Sequence, residues 1–212
     1  MSGAAGRIVV LNGAPRSGKS SIVAALQARD DAIWINLGVD MHSASMLPPR
    51  LRPGIGVRPG GERPDLEPLL PRLYAGLYEA IAAQSRLGLD VVADLGHHDA
   101  YAQPLGILPD CARRLKGLPA LFVGVRCPLD TILDRRRQLT EGRETLYASA
   151  PEGEPPPAPV LLWQQAVHAH GLYDLTIDTS RVTPDEAAAL ILATFAKGIP
   201  HPSAFEQLAE RR

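Results

Sequence analysis

Eight consecutive residues constrain this chain more than any others: Gly13-Ala14-Pro15-Arg16-Ser17-Gly18-Lys19-Ser20, which satisfies G-x-x-x-x-G-K-[ST]. The apolar, β-branched run Arg7 to Leu11 (RIVVL) leads into it, and a helical pattern from Lys19 to Ala28 leads out. Glycines let the backbone turn so that successive N–H groups face an anion, and the following helix N-terminus adds a favourable dipole. A strand, loop and helix of this kind wrap a phosphate chain, so Gly13, Ala14, Pro15, Arg16, Ser17, Gly18, Lys19, Ser20 and the adjoining Ser21 are the expected nucleotide-binding residues. Lys19 can reach β- and γ-phosphate oxygens as a point charge, and the Ser20 hydroxyl can be one ligand of an octahedral Mg²⁺.

The alternation continues along the chain. Short apolar runs at Ile33 to Leu37, Asp90 to Ala93, Leu121 to Arg126 and Leu175 to Ile177 each suit one buried strand. Helical patterns fall between and after them, at about Leu73 to Leu87, Cys111 to Leu115, Leu129 to Leu139, Val160 to His170 and Pro184 to Lys197. Parallel neighbours need crossovers, so this order predicts an α/β fold of three layers around a five-stranded, mostly parallel sheet. At 212 residues, 45% of them apolar, the chain reads as one domain over 1–212. With 22 basic against 23 acidic residues, nothing favours nucleic acid or anionic lipid as a partner. No apolar run approaches the roughly 18 residues of a membrane span, and a cytoplasmic protein is expected. Cys111 and Cys127, at no metal-ligand spacing, read as buried thiols of a reducing compartment.

Two segments break the pattern: Pro48 to Pro71, with Arg50, Arg52, Arg58 and Arg63 among prolines and glycines, and Glu141 to Pro159, which ends in EPPPAP. Loops this long in a compact domain are usually functional or mobile; the alternative is a pair of disordered surface insertions. The tail after Gly198 is compatible with a docked terminal helix or with disorder.

A P-loop does not name a reaction, since GTPases, ATPases and kinases share it. The guanine-reading N/T-K-x-D sequence is absent, which weighs against a GTPase. A small kinase needs a base beside the acceptor hydroxyl, a carboxylate on the metal, and arginines around the transferred phosphoryl group. Asp40 follows the second strand on the P-loop edge of the sheet and is the candidate base; the alternative is a cap for a helix starting near Met41. Asp94 closes the third strand, where a carboxylate can hold Mg²⁺ with Ser20. His97, His98 and Asp99 follow, with substrate contact or plain loop polarity as the open readings. Arg135, Arg136, Arg137 and Arg143 form the densest positive stretch and suit a lid over about 135–159. Adjacent helical residues point about 100° apart, so one or two of the triplet can face phosphates.

The constellation resembles the chloramphenicol phosphotransferase family of P-loop kinases, small bacterial enzymes that phosphorylate a hydroxyl of the antibiotic with ATP. The resemblance rests on IVVLNG with GKS, LGVD at Leu37 to Asp40, a strand ending in Asp94, VGVRC at Val123 to Cys127, Arg135 eight residues later, and HAHGLYDLTIDTS at His168 to Ser180. It implies an ATP site at the GKS loop, Asp40 as base, Arg135 as the lid arginine, and Thr179 with Arg181 near adenine, unless these two only form a turn before an N-cap at Thr183. The sequence also departs from the family. Leu95 stands where the family pattern has a second acid, and the acceptor-side loop of about 41–71 is dominated by Pro and Arg. The acceptor therefore need not be chloramphenicol. A metabolite or nucleoside kinase, or an ATP-binding regulator without turnover, are the alternatives.

Overall fold

The computed structural model describes residues 4–60, 63–137, 156 and 158–211. Strands β1 (Ile8–Asn12), β2 (Trp34–Asn36), β3 (Asp90–Leu95), β4 (Ala120–Arg126) and β5 (Leu175–Asp178) form one sheet in the order β2-β3-β1-β4-β5. All four pairings are parallel. The helices are α1 (Lys19–Gln27), α2 (Val39–Met46), α3 (Leu70–Arg86), α4 (Ile107–Arg114), α5 (Leu129–Arg137), α6 (Ala158–Ala166), α7 (Pro184–Lys197) and α8 (Ala204–Ala209).

Side chains alternate across a strand, and the core divides accordingly. Ile8 and Val10 face α3, α4 and α8 together with Val91, Ala93 and Phe122. Val9 and Leu11 face α1 and α7 with Val92, Leu121 and Val123. A third, smaller cluster joins α5 and α6 to the P-loop through Ile132, Val160, Trp163, Ala14 and Cys127. Both cysteines are buried thiols. Among the described residues, no helix is long and apolar enough to cross a membrane.

Several elements differ from the sequence expectation for local reasons. α4 begins at Ile107 rather than Cys111, because Pro109 falls in the first turn, where no intrahelical N–H bond is lost. α6 runs from Ala158 to Ala166 and gives way to a turn before His170. The tail is a docked helix: Ser203 and Glu206 form a capping box, and Phe205 packs 4.8 Å from Phe122. The described part of Pro48 to Pro71 is packed too. Its short 3-10 turns bury Ile55, Val57 and Leu66 against α3, the Tyr74 hydroxyl donates to the Ile55 carbonyl at 3.1 Å, and Arg63 donates to the carbonyls of Arg50 and Arg52. Arg143 and most of the expected lid lie outside the described residues.

Candidate active site

The P-loop turns between β1 and α1 with Arg16 and Gly18 both at positive φ, 68° and 96°. Gly18 is suited to that conformation, whereas Arg16 holds it at a cost of about 1–2 kcal/mol. Gly13 is required by space: a Cβ there would run into the Val125 carbonyl. The Lys19 ammonium donates to the carbonyls of Gly13 at 2.7 Å and Ala14 at 2.9 Å. Burial pushes its pKa down to about 8, against the upward pull of the Asp94 and Asp40 carboxylates.

Asp94, the penultimate residue of β3, lies opposite Leu11 of β1, and its Oδ2 accepts from the Ser20 hydroxyl at 2.7 Å. These two oxygen donors, a carboxylate and a hydroxyl, suit a hard cation. Gly38 makes the arrangement possible, since any Cβ there would overlap the Asp94 carboxylate. Gly38 is also the N-cap of α2, so Asp40 is the second residue of the helix and not its cap. The capping alternative therefore fails, and Asp40 lines the same cleft as Lys19 and Asp94.

Arg135 is tied down rather than extended from a lid. Its guanidinium donates to the Thr179 carbonyl at 2.8 Å, the Thr179 hydroxyl at 3.1 Å and the Arg16 carbonyl at 3.3 Å, with Cys127 Sγ at 3.4 Å. The Thr179 hydroxyl donates in turn to the Ser17 carbonyl at 2.7 Å. Arg135 and Thr179 thus bind the P-loop to the end of β5, and both line the cleft. Arg137 points away and pairs with Asp134. Arg181 is exposed beside Asp178, and Thr183 caps α7 in a capping box with Glu186.

The cleft encloses about 1130 Å³ and has two ends. Around the P-loop it is lined by Arg135, Thr179 and Thr183, and beyond Asp40 by Arg52, Ile55, Arg58, Gly96 and Trp163. Trp163 escaped the sequence reading because a tryptophan in VLLWQQA is indistinguishable from core. It lies so close to Gly96 that a Cβ there would sit 2.8 Å from the indole.

His97 and His98 do not line the cleft. His97 is buried, hydrogen-bonded to the Tyr78 hydroxyl at 2.8 Å, and desolvation drives its pKa down to about 3. The His98 Nε2–H donates to the Val57 carbonyl at 3.0 Å and its Nδ1 accepts from Ala100, so it anchors the acceptor-side loop. The HAHGLYDL stretch has a comparable supporting part. Asn12, at the end of β1, donates to the Tyr173 hydroxyl and the Val167 carbonyl, both at 2.9 Å, while the His97 N–H donates to its Oδ1 at 2.6 Å. This ties the strand under the P-loop to its neighbours.

The family model described as chloramphenicol phosphotransferase-like protein matches residues 6–196. The chain belongs to this family. Two curated relatives from strains of Mycobacterium tuberculosis, each named "Putative O-phosphotransferase", are 27% identical over 220 residues, covering 97% of this chain and 89% of theirs. Among solved structures, the APS kinase of Mycobacterium tuberculosis in complex with AMPPNP and APS aligns with a TM-score of 0.55 at 14% identity, over 92% of this chain and 99% of its own. Shikimate kinase from Acinetobacter baumannii in complex with shikimate aligns at 0.57 and 13%, over 91% and 94%. At such identities the likeness is one of fold, the P-loop kinase fold. This family member is a phosphotransferase on that fold.

Proposed function

We propose that this phosphotransferase moves the γ-phosphoryl group of ATP to a hydroxyl of a small molecule, with Mg²⁺. The observation that carries the reading is that Lys19, Asp94 and Asp40 open onto one cleft, with both carboxylates close enough to act on the lysine's charge. In this reading Lys19 follows the γ-phosphate into a loose transition state, and Asp40 orients the acceptor hydroxyl. The acceptor oxygen forms its bond to phosphorus as the bond from phosphorus to the β,γ-bridging oxygen breaks. The hydroxyl proton passes to the Asp40 carboxylate and ADP leaves. Ser20 and Asp94 would hold Mg²⁺, which when bound neutralises charge on the phosphate oxygens. Arg135 and Thr179 hold the wall of the nucleotide end, and Trp163 keeps water from the acceptor end.

The test is ADP release across a panel of hydroxylated compounds, chloramphenicol, related natural products, sugars and nucleosides among them, with mass detection of a phosphorylated product. Acceptor-stimulated ADP release with a product 80 Da heavier, roughly the mass of a transferred phosphoryl group, is the expected result. Saturable ATP binding with no stimulation by any compound would favour a regulatory module instead.

A further inference from the structure

We propose that a second pocket, at the ends of β4 and β5 beside α6, binds a small oxyanion, a carboxylate or a phosphate ester, through the Arg126 guanidinium and the His168 ring. The pocket encloses about 230 Å³, and Arg126, Cys127, Gln164, His168 and Asp178 in its wall are all absent from the wall of the catalytic cleft. At ~30 Å³ per water it has room for about seven waters, enough for a small organic anion. Nothing in this site depends on the kinase reading.

A chain of hydrogen bonds decides which proton His168 offers. The Leu172 N–H donates to His170 Nδ1 at 3.2 Å, so a neutral His170 carries its proton on Nε2, 3.0 Å from the Tyr173 hydroxyl oxygen. Asn12 Nδ2 donates to the same oxygen at 2.9 Å. With both lone pairs taken, the Tyr173 hydroxyl has only its own proton left to give. His168 Nδ1, at 2.6 Å, is nearer than the Val167 carbonyl at 3.3 Å and receives it. His168 is thereby fixed as the Nε2–H tautomer, and among the described residues nothing accepts that Nε2–H. Burial, with the charges of Arg126, His170 and Lys19, holds its pKa down to about 4, so at neutral pH the ring is an uncharged donor.

Arg126 ends β4 with its side chain exposed, and the guanidinium makes no hydrogen bond or ion pair among the described residues. Asp178, its register partner on β5, is turned to its own turn instead: it accepts from the Ser180 N–H at 3.0 Å and the Ser180 hydroxyl at 2.7 Å, with Arg181 at 3.4 Å. Gln164 is likewise turned to the protein, donating to the Cys127 carbonyl at 3.2 Å. A charged fork and a neutral N–H on one small pocket suit a ligand with two oxygens and a negative charge, one oxygen for each donor. A cation there would meet the Arg126 charge and two sets of donors with nothing to give it.

The test uses the full chain saturated with MgAMPPNP, which fills the P-loop, in chloride at constant ionic strength, with acetate and methyl phosphate as probes. The NMR signals of the His168 ring, identified by their loss in His168→Asn, should show the Nε2–H tautomer in the free protein and move saturably with at least one probe. Tighter binding of acetate assigns the ligand as a carboxylate, and tighter binding of methyl phosphate as a phosphate ester. Arg126→Gln, at an exposed position, should weaken the binding about tenfold or more, the scale of one lost charge-assisted hydrogen bond, and Arg126→Lys should recover part of it. No saturable shift with either probe, equal binding in Arg126→Gln, or an Nδ1–H tautomer at His168 overturns the proposal.

Discussion

On the nucleotide side of the cleft Gly13 to Ser20 supply the loop, the lysine and the hydroxyl from consecutive residues, whereas on the acceptor side Asp40, Arg58, Gly96 and Trp163 come from four separate segments. The first side is held by backbone geometry close in sequence, such as the Lys19 bonds to Gly13 and Ala14. The second depends on tertiary pins, His98 to Val57 and Trp163 against Gly96. A phosphate-binding side that is local in sequence can stay constant while the other side is re-lined, so the two halves should respond differently to substitution.

Lys19→Ala should have the largest effect, a loss in turnover of about 10²- to 10³-fold, because it removes a buried charge next to the transferred group. The thermal unfolding midpoint should change little, since the desolvation cost that is relieved offsets the lost hydrogen bonds to the Gly13 and Ala14 carbonyls. Retention of most of the phosphoryl transfer would break the assignment of the nucleotide side. On the acceptor side, Asp40→Asn should lower kcat about 10²-fold while MgADP affinity stays within about a factor of two. Gly38, not Asp40, occupies the N-cap, so the substitution removes no cap of α2. Unimpaired turnover would remove Asp40 from the chemistry.

The same contrast explains what was legible in the sequence. The P-loop needed no tertiary information, because its geometry is dictated by Gly13, Gly18 and the flanking strand and helix. The sheet was legible through apolar runs such as IVVL and LFVGVR, whose strands are buried on both faces. Trp163 was not recognisable as a wall of the cleft that Asp40 lines, because the two lie far apart in sequence and the packing of α6 against Gly96 brings the indole there. His97 and His98 invited a functional reading by their polarity, yet burial among Tyr74, Tyr78 and Tyr101 makes them supports. The tail after Gly198 reads in the sequence as either a docked helix or disorder, because the contact that decides it, Phe205 on Phe122, joins segments far apart in the chain.

Gly38→Ala probes the seam between the halves. An added methyl must displace the Asp94 carboxylate from the Ser20 hydroxyl, so the Mg²⁺ concentration needed for half-maximal activity should rise about 30-fold, within the range typical of disturbed support around a metal site. An unchanged Mg²⁺ requirement would mean that Asp94 does not hold the ion. Arg135→Lys should follow with a loss of about tenfold, because one ammonium cannot reproduce the fork that spans Arg16 and Thr179. Arg137→Lys should be near neutral, its partner being the exposed Asp134. Equal effects at 135 and 137 would show that the helix contributes only general charge.

The smallest expected effect separates the halves by proton linkage. With the Lys19 pKa near 8 in the free protein, a bound diphosphate beside the ammonium favours its charged form and raises that pKa. Below pH 7 the lysine is protonated before and after binding, and no proton moves. At pH 8.5 most free protein carries neutral Lys19, so MgADP binding must take up roughly 0.7 of a proton, and the apparent affinity should fall about fourfold from pH 7 to pH 8.5. Calorimetry in buffers of different ionisation enthalpy reads the uptake directly. Lys19→Ala should abolish it, and Asp40→Asn should leave it in place or enlarge it, because burial depresses the Lys19 value and the Asp40 carboxylate opposes that depression. Proton release on binding, or uptake that persists in Lys19→Ala, would locate the titrating group elsewhere and break the link between the buried lysine and the phosphate chain.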